Sequence, residues 1–334
     1  MKLFFRFVLC YLVLSLLIVA LIRRQGITLL IEAASETYTF GSTVASVAAL
    51  LIPMLLALPF VMGWRRFMSS LSLLGYALIA SVLLQTAFSF LKSMIPTVVP
   101  FYADPALAGL DRWLHGGVDP WEITHRIGAH LPMEILLPVY LFVWTVPAIG
   151  FAVVLTVADH DRERTARFLV LYLFCWIFLG NVLAILGASV GPVFYDALEG
   201  GSRFAGLHAA LAQSGLTDGT VGAIQEYLWR SYADRRMAIG SGISAFPSVH
   251  VGIATLTALY LMERSRWLAI PGFAFLATIL FLSVYTGYHY AIDGYAAILL
   301  VTGAWHLLRR VELTTMDLPR ARRGDAAMQS ARQG

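Results

Sequence analysis

Long apolar runs constrain the fold of this chain more than any other feature. The first run ends at Ile22, and further runs of roughly 20 residues cover approximately 41–62, 71–91, 133–157, 168–190, 246–262, 268–285 and 291–308. About 20 apolar residues in a helix cross the ~30 Å hydrocarbon core of a bilayer. Hydrophobic residues make up 59% of the 334 and charged residues only 13%, far from the balance of a soluble domain. The sequence therefore predicts an all-α polytopic membrane bundle of about eight transmembrane helices.

The N-terminal run also has features of a secretory signal peptide, because Lys2 and Arg6 lie at its start. It ends in Arg23-Arg24 without a small-x-small cleavage site. We therefore expect it to be retained as the first span.

The basic residues indicate a membrane surface rather than a nucleic acid. The net charge is +4, but the arginines lie between apolar runs and not along one face. With eight spans, most arginine clusters fall on one side, which the positive-inside rule predicts to be cytoplasmic. These clusters are Arg65-Arg66, Arg162 with Arg164 and Arg167, Arg264 with Arg266, and Arg309-Arg310. Arg23-Arg24 is the exception. We expect a multi-pass protein of the cell's inner (plasma) membrane.

Two long polar connections, at about 92–132 and 191–245, fall on the outer face in this topology. The first is rich in Asp, His and Trp, and we expect it to form an interfacial loop that caps the bundle. The second contains a predicted helix from Val221 to Arg236 and ends in Gly240-Ser241-Gly242.

Two short stretches, Gly242–His250 and Tyr285–Asp293, carry histidines beside apolar runs. A titratable ring in such surroundings is a functional candidate by default. Asp293 follows His289 by four residues, so in a helix both side chains would share one face and could hydrogen-bond. Both stretches lie at the outer entrances of spans, one complete hairpin apart. We therefore expect His250, His289 and Asp293 to converge at the outer membrane face.

The Pro247-Ser248-Val249-His250 segment has the pattern of a helix start. Pro247 suits the first turn, which would leave the amides around Ser248 to His250 as free donors. Free amides at a helix N-terminus bind anions, and phosphate above all.

Pro247-Ser248-x-His250 followed by His289-x-x-x-Asp293 resembles the second and third signature motifs of the type 2 phosphatidic acid phosphatase superfamily, membrane enzymes that act on lipid phosphates. The wording of both stretches is similar to the branch that contains inositol phosphorylceramide synthases. The resemblance covers roughly 165–308 and implies a six-helix phosphatase-like core. It divides the chain into an N-terminal transmembrane hairpin (1–70), a membrane-embedded catalytic core (71–310) and a cytoplasmic, disordered tail (311–334).

The chain departs from the family's cationic motifs. The family has a Lys followed after six residues by Arg-Pro, and an Arg six residues before the nucleophilic His, where this chain has Ser283. Lys92 precedes Val99-Pro100 at the first motif's spacing, but two further spans separate it from His250, so we interpret the match as coincidence. The outer-face candidates for holding phosphate are Lys92, Arg203, Arg235 and Arg236.

The resemblance implies a role for each motif residue. His289 would attack phosphorus, and Asp293 would orient its ring. His250 would protonate the leaving alkoxide and then activate water or an acceptor hydroxyl. Ser248 and nearby amides would bind phosphoryl oxygens. This scheme needs no cofactor or metal, and its partners are a lipid phosphate substrate and membrane lipids. The sequence predicts no oligomeric state.

Other readings of the same residues stay open. Two histidines and a carboxylate could form a metal site. A proton-coupled transporter would also use intramembrane ionisable groups, although it predicts them near the bilayer midplane. Within the enzyme class, the sequence does not decide between hydrolysis and transfer of a phospho-headgroup to a hydroxyl.

Overall fold

A computed structural model describes residues 1–23, 34–35, 38, 63–234 and 240–311. Within these ranges the chain forms helices and turns and contains no strand. The predicted span at 41–62 and the tail at 312–334 lie outside the described residues, and so do Arg235 and Arg236.

The described helices, in chain order, are α1 (Lys2–Arg23), α2 (Trp64–Val98), α3 (Asp104–Leu114), α4 (Pro120–Gly128), α5 (Met133–Pro138), α6 (Thr145–Ala158), α7 (Arg162–Leu173), α8 (Ala184–Leu186), α9 (Pro192–Glu199), α10 (Ala205–Gln213), α11 (Thr220–Ala233), α12 (Val249–Arg264), α13 (Arg266–Tyr285) and α14 (Ala291–Arg310). Two π-helical segments, π1 (Val139–Val143) and π2 (Phe174–Leu183), join α5 to α6 and α7 to α8. The helix predicted at Val221–Arg236 is α11.

Five of the described helical segments are long and apolar enough to cross a membrane, namely Lys2–Arg23, Phe67–Val98, Arg162–Leu186, Arg266–Tyr285 and Ala291–Arg310. A sixth is possible if Pro120–Gly128 and Met133–Val143, which meet at 117°, form one span. These helices confirm the all-α polytopic bundle.

Two predicted spans are less regular than their apolar runs suggest. The run at 133–157 is divided among α5, π1 and α6. The run at 246–262 becomes α12, which has 16 residues because Phe246, Pro247 and Ser248 precede the helix.

Helix α12 lies at the centre of the bundle. Ten of its residues are buried, and it packs against α13, α14 and π2. Gly272 of α13 allows close packing, since a Cβ there would lie 3.1 Å from the Cα of Ala258. Small residues at such crossings let two backbones approach within van der Waals distance.

The bundle has a charged end opposite the histidine stretches. Arg164 binds Asp159 through two hydrogen bonds of 2.6 Å, and Arg167 pairs with Glu263 at 2.6 Å. Burial would raise the pKa of Asp159, but the Arg164 guanidinium holds it below its ordinary value. Arg264 and His250 lie at opposite ends of α12, about 20 Å apart along its axis. The arginines predicted to be cytoplasmic and the motif histidines thus occupy different ends.

Candidate active site

A cavity of about 240 Å³ lies at the end of the bundle where α12 and α14 begin. His250 and His289 line it together with Lys92 of α2. The loop at 240–247 contributes another wall, and Ile224 and Leu228 of α11 also line the cavity. The cavity therefore combines titratable groups with an apolar wall.

His289 and Asp293 form a buried pair at the start of α14. The Nδ1 atom of His289 lies 3.3 Å from Oδ2 of Asp293, whose side chain is fully buried. Because the backbone N–H of His289 donates to the carbonyl of Ser283 at 3.1 Å, the histidine is fixed from both sides. Ser283, at the position of the family's arginine, is itself buried.

The pair forms by a different geometry from the predicted helical face. His289 and Tyr290 precede α14, and Asp293 is the third residue of the helix. Its carboxylate turns back to accept the Tyr290 N–H at 3.0 Å. An acidic side chain at this position satisfies an amide that the helix itself leaves free. Asp293 thus caps the helix and contacts the histidine at once.

His250, the second residue of α12, approaches the same point. The ring centroids of His250 and His289 are 6.0 Å apart. The two motifs are also joined through the backbone, because the Ser248 N–H donates to the carbonyl of Asp293 at 3.1 Å. The three residues that the sequence singled out are therefore brought together.

Ser248 lies beside the cavity rather than in its lining, which includes Pro247 and Val249. Its buried hydroxyl accepts the Val251 N–H at 3.3 Å and so caps α12. The predicted helix start is therefore displaced, with Pro247 before the cap. Since the Ser248 amide donates to Asp293, it is not the free donor that the sequence suggested. Its role in phosphate binding stays a prediction.

Lys92 lines the cavity although we interpreted its motif spacing as coincidence. Its Nζ lies 5.7 Å from the centre of the Phe88 ring. Gly242 packs against the α2 backbone here, since a Cβ would lie 2.9 Å from the Lys92 carbonyl carbon. This close packing brings the loop before α12 to a helix that lies two spans earlier in the sequence.

The other predicted cations are placed differently. Arg203 binds Asp119 through two hydrogen bonds of 2.7 and 2.8 Å, so its guanidinium is already engaged. Arg235 and Arg236 lie outside the described residues, five and four positions before Gly240, which lines the cavity. Among the described residues, Lys92 is the one Lys or Arg in the cavity lining.

Helix α3 anchors the start of α14. The Asp111 carboxylate accepts the N–H groups of Ala291 and Ile292, each at 3.0 Å. Burial raises the pKa of the Asp111 carboxyl to about 6. The connection that the sequence predicts to be a capping loop thus contacts the first turn that carries Asp293.

A second carboxylate of α3 binds the turn beside α9. Asp104 accepts the N–H groups of Val190 and Gly191 at 2.8 and 3.0 Å, and the Tyr290 hydroxyl at 2.9 Å. Burial raises the pKa of its carboxyl above the ordinary value. Asp104 therefore joins the end of π2 and α8 to the residue next to His289.

Two aromatic residues beside His250 escaped the sequence analysis. Tyr140 stacks on the imidazole with a centroid distance of 4.9 Å, and Trp144 with one of 4.0 Å. Both lie in a run of apolar and aromatic residues that reads as membrane core. Their spacing of four, on one side of a helical segment, is the signal the sequence offers, but it is common in packed helices.

The geometry does not favour the metal-site alternative. In the described part of the chain, no group of three His, Cys, Asp or Glu side chains could hold a metal ion. The ionisable groups of the motifs lie at helix starts, whereas the transporter alternative predicts the bilayer midplane.

Fold and site together define a multi-pass membrane protein with a histidine-carboxylate pair and a second histidine in one cavity. A family model described as the PAP2 superfamily matches residues 105–307, more than half of the chain. The chain therefore belongs to the PAP2 superfamily, and it is a membrane protein of the phosphatase type. No curated protein and no solved structure matches it.

Proposed function

We propose that this protein transfers the phosphoryl group of a lipid phosphate ester through a phosphohistidine on His289. The observation that carries the proposal is the cavity in which His289, backed by Asp293 at 3.3 Å, has the His250 ring 6.0 Å away. At this spacing one phosphoryl group can be within about 3 Å of both rings, the reach of a hydrogen bond or of an attacking atom.

The hydrogen bond to Asp293 assigns the ring nitrogens of His289. Asp293 accepts a proton from Nδ1, which leaves the lone pair of Nε2 for attack on phosphorus. As the N–P bond forms, positive charge develops on the ring beside the carboxylate. The bond from phosphorus to the ester oxygen breaks, and His250 protonates that oxygen so that it departs as an alcohol.

The second half of the reaction reverses the role of His250. Its neutral ring takes a proton from water, and the hydroxide attacks the phosphohistidine. Phosphate leaves and His289 returns to its starting form. A hydroxyl-bearing acceptor in place of water would give headgroup transfer instead, at the same site and with the same residues.

Charge and shape of the cavity support a phosphate bound to a lipid. Lys92 supplies a cation, and the first two amides of α12, Val249 and His250, have no acceptor among the described residues. A helix N-terminus with free amides favours phosphoryl oxygens. Ile224 and Leu228 offer apolar surface to the alcohol part of the substrate. We place the reaction at the outer face of the plasma membrane, following the arginine distribution.

The test compares purified wild type with His289→Ala and His250→Ala on a panel of radiolabelled lipid phosphates and phosphodiesters, with and without alcohol acceptors. We expect no turnover by His289→Ala and almost none by His250→Ala. Wild type should retain acid-labile label after a rapid quench. His208→Ala, in an exposed residue of α10, is the matched control and should keep full activity.

Full activity of either motif variant would remove the mechanism. The products decide between the two outcomes of the second half-reaction, because free phosphate indicates hydrolysis and a labelled acceptor indicates transfer.

A further inference from the structure

The imidazole of His250 is enclosed by two aromatic rings. The Tyr140 ring plane lies within 17° of it and the Trp144 plane within 25°. Both centroids are within 5 Å of the imidazole centroid, so two rings on one face would overlap. Tyr140 and Trp144 therefore cover opposite faces and leave the ring edge directed to the cavity.

The local backbone explains how both rings reach one imidazole. Tyr140 lies in π1 and Trp144 directly follows it, and the Trp144 N–H donates to the Val139 carbonyl at 2.9 Å. This five-residue hydrogen bond widens the turn, so residues four apart project from one side. The Trp144 indole is fixed further, because its Nε1 donates to the His250 carbonyl at 3.0 Å.

The groups that face His250 disfavour a charged imidazole. Lys92 from α2 and His289 before α14 line the same cavity and are cationic when protonated. Tyr288 contributes a neutral hydroxyl, and Asp293 is paired with His289 rather than with His250. Within the described residues no side chain hydrogen-bonds to the nitrogens of the His250 ring. Yet a residue that protonates a leaving group has to hold a proton.

We propose that Tyr140 and Trp144 are positioning residues that aim His250 at the ester oxygen and stabilise its protonated form through their ring faces. The proposal rests on the proposed function. Aromatic faces carry partial negative charge and attract a cation held against them. In this site they supply the attraction that a carboxylate supplies to His289. The two histidines are thus held by different chemistry, which suits a nucleophile and an acid.

The test uses pH–rate profiles of the full-length protein with an alkyl phosphate and with a p-nitrophenyl phosphate ester. Leaving-group protonation matters for the alkyl ester and little for p-nitrophenol. We expect Tyr140→Leu and Trp144→Leu to move the alkaline limb of the alkyl profile about 0.5 to 1 pH unit lower. The kcat for the alkyl ester should fall about tenfold or more, and that for the aryl ester much less. Tyr140→Phe keeps the ring face and should behave as wild type.

Equal losses on both esters with an unmoved limb would overturn the proposal, since they would indicate a packing role alone. If a leucine variant does not fold, fluorinated tryptophans at position 144 give the second measurement. They weaken the ring face at nearly constant volume, and the limb should move further with each added fluorine. An unmoved limb across that series would also overturn it. Failure of the phosphohistidine mechanism is recognised separately, by an active His289→Ala protein.

Discussion

At the residue scale, the motif residues were predictable because their chemistry is local. His250, His289 and Asp293 could be singled out from their types and spacing alone. The way in which Asp293 reaches His289 could not, because it depends on where α14 begins. A carboxylate on the third residue of a helix faces backward to the cap. The sequence offered a helical face, and the structure has a helix start.

Lys92 is the residue whose importance we expect the sequence to have understated. Lys92→Met should weaken inhibition by orthovanadate about tenfold or more, because a hydrogen bond to a charged oxygen is lost from the cavity. Lys92→Arg keeps the charge and should lose less. Inhibition constants measured at a fixed pH check both variants. Unchanged inhibition of the methionine variant would show that another cation holds the phosphate.

At the element scale, the short helix α3 determines how the site is assembled. Asp111 and Asp104 bind amides of three separate segments. The sequence could indicate a capping connection here, but not its partners. Ala291 lies 180 residues from Asp111, and no local pattern reports so distant a contact. Tyr140 and Trp144 were missed for the same reason.

Asp111 gives α3 a pH-dependent contribution to stability. Burial raises the pKa of its carboxyl to about 6, above the ordinary value, so the folded protein binds the proton more tightly than the unfolded chain. The contribution is fully present below about pH 4 and is lost as pH rises through 6. We expect the melting temperature of wild type, relative to Asp111→Asn, to fall between these values and then to level off. A constant difference across the range would contradict this.

Gly191 tests the turn that Asp104 binds. Its φ is +86°, and a Cβ there would lie 2.4 Å from the Tyr288 carbonyl oxygen. Gly191→Ala should therefore lower both the melting temperature and kcat, because it pushes the stretch that carries His289. Gly109→Ala is the matched control, since that helical position has no atom within 4 Å of a Cβ. The control should be as stable as wild type or slightly more so. Equal behaviour of the two variants would contradict the expected clash.

At the scale of the whole molecule, charge is divided between the two ends of the bundle. Arginine–carboxylate pairs lie at one end and the histidine cavity at the other. The apolar runs and the arginine distribution predicted a bundle of this polarity. They did not predict the breaks at π1 and π2 or the shortness of α12, since hydropathy does not report backbone hydrogen bonding.

Cysteine labelling in intact cells tests the orientation. In a background with Cys10→Ser and Cys175→Ala, Trp113→Cys should react with a membrane-impermeant maleimide, and Arg162→Cys should react only after lysis. Both side chains are exposed on connections between helices. The reverse pattern would place the cavity in the cytoplasm.

The backbone bond from Ser248 to Asp293 has a consequence for biosynthesis. The two halves of the site are created by docking the last helix beside α12, and neither is complete without the other. A chain still emerging from the ribosome, or one truncated before Ala291, therefore holds no working centre. The newborn protein stays inert toward the surrounding lipids until its final helix is inserted.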